Sequence, residues 1–93
     1  MAAEEIRGGV TRTVAAIEVE CDRIASELLR LDAEHRVDDR RFEAAVERGS
    51  QGEVMRLERD MNRIASAIRS LERRALELDA EHRIVELFES GRR

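Results

Sequence analysis

The sequence predicts an all-α protein, an antiparallel two-helix coiled-coil hairpin that dimerises into a four-helix bundle. Three observations point there. Charged residues make up 41% and apolar residues 42% of 93 residues, with no proline, a balance typical of long helices rather than sheets. Apolar residues recur in alternating steps of three and four, the heptad spacing of helices that pack along a seam. A helix stop at Gly49 is followed at once by a helix start, Ser50-Gln-Gly-Glu53.

Residues 1–10 contain Gly8-Gly9, a pair that weakens a helix, and are expected to form a flexible arm. Thr11 or Thr13 can cap a first helix over 11–48. Its seam is Val14, Ile17, Cys21, Ile24, Leu28, Leu31, His35, Asp38, Phe42 and Ala45. Val37-Asp-Asp-Arg-Arg41 offers this seam almost nothing, so a break near Asp38 into a separate short helix is an alternative. The turn falls at 49–50, and a second helix over 51–90 carries Val54, Leu57, Met61, Ile64, Ile68, Leu71, Ala75, Leu78, His82 and Val85 on its seam. Residues 91–93 are left as a tail. Each helix is expected to be about 37 residues and roughly 55 Å long at ~1.5 Å rise per residue.

In an antiparallel pair, facing positions have a constant index sum. Here 14 with 85, 24 with 75, 35 with 64 and 45 with 54 all sum to 99, which centres the register between Gly49 and Ser50. A sum of 106, with a longer loop around Gly52, is the competing register. There is also an internal repeat: Arg23-Ile-Ala-Ser26 recurs as Arg63-Ile-Ala-Ser66, and Leu31-Asp-Ala-Glu-His-Arg36 as Leu78-Asp-Ala-Glu-His-Arg83. The offsets of 40 and 47 differ by one heptad, as duplication followed by a seven-residue insertion or deletion would leave them.

Function classes can be narrowed by chemistry. The 17 basic residues, all arginine, are mixed with 21 acids for a net charge of −4, so nucleic acid is a poor partner. Arginine in place of every lysine suggests a GC-rich, bacterial genome. Cys21 stands alone, facing Leu78, and behaves as a small hydrophobe; no disulfide framework exists. With no long apolar run and a polar start, a cytoplasmic protein that does not engage a membrane is expected. No Gly-rich phosphate loop or nucleophile elbow is present, so no enzyme is expected and no cofactor. The chain lacks the active-site lysine of the small helical chorismate mutases and the Trp-x-Gly turn of the helical-hairpin secretion proteins.

His35, Asp38 and His82 form a polar seam, expected to fix register and oligomeric state. A weaker alternative is an ion site from His82, Glu81, Asp79 and Glu20; adjacent Glu and His side chains point about 100° apart, which argues against it. Along the edges, Glu27 with Arg74 and Arg41 with Asp60 are expected opposite-charge neighbours, whereas Glu18 with Asp79 and Glu20 with Glu81 would leave the open end acidic. A second apolar stripe of Leu76, Ala80, Ile84, Leu87 and Phe88, with Ala15, Ala16 and Val19 at the same end of the first helix, lies off the seam. That stripe predicts a homodimer interface or a dock for another protein. The functional expectation is a non-enzymatic scaffold or adaptor whose partners are itself and a further protein, with a secretion chaperone or substrate, or a helical-bundle metal protein, as alternatives.

Overall fold

The computed structural model describes residues 12–91. The arm expected over 1–10 and most of the 91–93 tail lie outside the described residues. Two helices, α1 (Val14–Arg48) and α2 (Gln51–Gly91), fold into a hairpin, with no strand among the described residues. The molecule measures 66 × 26 × 15 Å, a flat rod two helices wide.

Thr13 caps α1: its backbone is extended and its hydroxyl accepts a 3.1 Å hydrogen bond from the N–H of Ala16. No break occurs near Asp38; α1 runs unbroken to Arg48 because Asp38 itself is turned into the seam and buried. α2 includes Gly91, one residue past the expected end.

The turn is built by Gly49. Its φ of 71° and ψ of 23° are left-handed, its N–H donates to the Val46 carbonyl at 3.0 Å, and the Ser50 N–H donates to the Ala45 carbonyl at 3.0 Å. This pair of bonds is the Schellman closure, which satisfies two carbonyls that the helix end leaves open. Gly52 is helical, which rules out the longer loop of the competing register. Ser50-Gln-Gly-Glu53 has the spacing of a capping box, in which Ser50 and Glu53 cap each other, but that reciprocal cap is not what holds the start of α2. The Glu53 carboxylate instead accepts from Arg48 at 2.7 Å, across the turn, because an arginine charge attracts it more strongly than a neutral amide does. The two tip glycines should therefore respond in opposite senses. Gly49→Ala is expected to cost about 1–2 kcal/mol, since an L-residue resists the left-handed backbone, although an added Cβ would meet no atom within 4 Å. Gly52→Ala is expected to gain up to about 1 kcal/mol through helix propensity. Urea melts of the two variants check both signs.

Every expected seam position is buried or half-buried. The buried residues of α1, Ile17, Ile24, Leu31, Asp38 and Ala45, fall at intervals of seven, as do Leu57, Ile64 and Leu78 on α2, where Leu71 in the same row is half-buried. One row of each helix thus points straight at the partner and its flanking row is only half covered, which is what a two-stranded rod can bury. The best-sealed cluster joins Ile17, Ile24 and Leu78, with Cys21, Leu28, Leu71, Ala75 and Val85 packed against them. The repeat is structural as well as sequential. In both copies the leucine is buried, the histidine half-buried, and the aspartate pairs with the arginine four residues on, Asp32 with Arg36 at 2.9 Å and Asp79 with Arg83 at 3.1 Å.

Candidate interaction surfaces

The edge pairs differ from those expected. Arg74 reaches Glu20 at 2.9 Å, not Glu27, and Glu27 is taken by Arg30 on its own helix. Asp60 pairs with Arg63 on α2, not with Arg41. Arginine side chains are long enough to reach a residue one heptad away, or a turn away on their own helix, so the nearest index sum does not select the partner. The open end is correspondingly less acidic than expected. Arg12 lies 2.7 Å from Glu20 and 3.7 Å from Glu81, joining two acids that would otherwise face each other. The hydrogen bonds from Arg74 and Arg12 hold the Glu20 carboxyl down to about 2.

These pairs also separate the residues considered as metal donors. Glu20 belongs to Arg74 and Arg12, Glu81 to Arg12, and Asp79 to Arg83, while His82 lies 3.2 Å from Glu86 and 3.7 Å from Glu18. Among the described residues no three His, Cys, Asp or Glu side chains converge on a point. Of the polar seam, His35 and His82 are half-buried and Asp38 is 7% exposed. Asp38 faces Asp60, whereas the index sum pairs it with Met61. As a carboxylate, its buried Oδ2 has no hydrogen-bond partner. As an acid it can donate to Asp60, and that hydrogen bond, followed by desolvation and by the Asp60 charge, holds Asp38 above the usual aspartate range. Asp60 is held below that range by the same hydrogen bond and by Arg63.

The off-seam stripe on α2 is open to solvent: Leu76 is 73%, Ile84 58%, Leu87 73% and Phe88 64% exposed, and Ala80 is exposed with them. Leu76, Ala80, Ile84 and Leu87 follow the back of α2, opposite its seam. Val19 and Ala15 are exposed as well, but on the back of α1, the other narrow edge of the rod. The fold therefore does not bring Ala15 and Val19 onto one surface with the α2 stripe. Val19 and Ala16 instead border a groove of about 450 Å³ over Ile24 and Leu71, crossed by Glu20 and Arg74.

No family model, curated protein or solved structure matches the chain. No helix among the described residues is long and apolar enough to cross a membrane.

The two broad faces of the rod differ in charge. With His35 and His82 at heptad position a, the g rows of α1 and α2 meet along one broad face, with the c rows outside them. The e rows meet along the other, with the b rows outside. The g and c rows together hold seven arginines and seven acids, and most of the ion pairs lie there: Glu20 with Arg74, Glu27 and Glu34 with Arg30, Arg48 with Glu53, Asp60 with Arg63. The e rows hold Glu18, Asp32 and Asp39 on α1 and Glu58, Glu72, Asp79 and Glu86 on α2, with Ala25, Val46 and Ala65 between them and no arginine at all. Adding the b rows gives nine acids against Arg36, Arg69 and Arg83. This asymmetry is in the sequence, but only sorting each charge by heptad position shows it; pairing charges across the seam does not.

Proposed function

We propose that the chain is a non-enzymatic coiled-coil scaffold or adaptor that acts as a homodimer, the two hairpins joining back to back along α2 into a four-helix bundle. The exposed stripe Leu76, Ala80, Ile84 and Leu87 carries this reading, since aliphatic side chains left bare on one edge of a small rod favour a covering surface. A second copy suits the stripe because the stripe is self-complementary. A twofold axis at Ala80 gives an index sum of 160, so Leu76 of one copy meets Ile84 of the other, Leu87 meets the aliphatic stem of Arg73, and the small Ala80 side chains meet each other. On one flank Arg83 of one copy comes beside Asp79 of the other, an opposite-charge neighbour.

Sedimentation equilibrium at micromolar concentration is expected to give a dimer for the native chain and a monomer for the Leu76→Glu, Ile84→Glu double variant, with helicity retained in both. A native monomer would overturn the proposal, and so would a double variant that still sediments as a dimer.

A further inference from the structure

The tip half of the e-row face, which excludes Leu76, Asp79 and Arg83 of the α2 edge, is a second surface. We propose that it docks a basic amphipathic helix from another protein. Three observations converge on that occupant. The face carries an excess of acids, and its e rows contain no arginine. Asp39, Glu43, Glu58 and Glu72 have no ion pair among the described residues, whereas the opposite face largely neutralises itself. The same face is also apolar in two places. At the tip, Val46 and Met55, 54% and 56% exposed, stand on neighbouring levels of the two helices, and Met55, Glu58, Arg59 and Asn62 line a shallow hollow of about 220 Å³. Midway along the rod stands Leu29, at 74% the most exposed large hydrophobic residue among the described residues, with Ala25 one turn before it on α1.

Charge and apolar spacing together select the occupant. A second copy of this chain would set acids against acids if it used this face, and an acidic or neutral partner would leave the carboxylates unanswered. A helix lying along the shallow valley between α1 and α2 would pass the Val46 level and the Leu29 level about 25 Å apart, at ~1.5 Å per residue. Its apolar residues must therefore cluster in two places about 17 positions apart, with lysine or arginine between them to meet Asp39, Glu43 and Glu58. This extends the adaptor reading to the chemistry of the adapted partner, but it uses a different surface, so peptide binding and oligomeric state can fail independently.

The test is fluorescence anisotropy with a labelled 24-residue helical peptide, leucine-rich in its first and last turns and lysine-rich between them. Saturable binding, one peptide per chain, is expected at low salt and should weaken as salt rises. Asp39→Lys with Glu58→Lys is expected to weaken it at least about 10-fold, and Leu29→Gln with Met55→Gln at least about 3-fold. Glu47→Lys with Glu77→Lys makes the same change in net charge away from this face and should leave binding within about 2-fold. Absence of saturable binding overturns the proposal. So does an equal loss in the two charge variants, which would make the attraction one of net charge alone, or an unchanged affinity in the Leu29, Met55 variant.

Discussion

Asp38→Leu should raise the stability of the hairpin by about 1–3 kcal/mol, the usual cost of a buried polar atom without a partner. Asp38 occupies the row that buries Leu31 and Ala45 one heptad to either side, so leucine there continues an apolar column. The native carboxyl gives up most of its hydration and gains the hydrogen bond to Asp60 only while protonated; ionised, it gains only a smaller attraction from Arg41. Replacing a buried polar constellation with a well-packed hydrophobe is often stabilising. The dependence on pH provides a second readout. Asp60 is held low, so its contribution is lost as pH falls through that lowered value. Asp38 is held high, so the stability of its protonated form is lost as pH rises through the raised value. The contribution of this pair should therefore peak on the acid side, between the two, and decline toward neutrality, whereas Glu20, Glu27 and Glu53, all held low by arginines, contribute stability that is lost as pH falls. Asp38→Asn keeps a donor facing Asp60 and cannot ionise, so it should remove that decline. A difference in melting temperature between the native chain and Asp38→Asn that does not fall from acid to neutral pH, or an Asp38→Leu variant less stable than the native chain, would refute this account. Leucine would also remove the polar mark in the middle of the seam, so a gain in stability accompanied by mixed oligomers would identify register control as what Asp38 provides.

Asp38 also marks where the sequence stopped being informative. The heptad positions and the glycine at the turn were legible because each depends on a local rule: periodicity selects the buried rows, and Gly49 alone accepts the left-handed closure. The tip glycine and the constant index sum are independent signals, and they agree because they describe the same reversal of the chain. Partners along the edges were not legible in the same way. Arg74 chooses between Glu20 and Glu27, and Asp60 between Arg63 and Arg41, through side-chain reach and rotamer, which spacing does not encode. The same limit explains the seam near 38. An aspartate on an apolar row suggested a break in the helix, yet pairing with a second carboxyl lets the helix continue. The grouping of Val19 with Leu76 failed for a geometric reason: both lie near the open end, but the backs of two packed helices face away from each other.

Leu78→Ala is expected to be the most damaging single change, at about 2–5 kcal/mol, a large share of what a domain of this size commands. Leu78 is 0% exposed and belongs with Ile17 and Ile24 to the best-sealed part of the core, so the cavity it leaves has little room to collapse. The repeat supplies an internal control, since Leu31 begins the same hexapeptide in α1 and is also buried, at 7% exposed. Identical local sequence would predict identical cost; the surroundings predict otherwise. Leu31 precedes the polar stretch of His35 and Asp38, where the core is already interrupted, whereas Leu78 faces Cys21 between the two isoleucines. Leu31→Ala should therefore cost visibly less than Leu78→Ala in urea melts of the two variants. Equal costs would mean that packing is uniform along the rod and that the open end is no better anchored than the middle. A larger cost for Leu78 would mean that the rod is held most firmly where the α2 stripe lies, so that a second copy meets a rigid edge and forfeits less conformational entropy on binding.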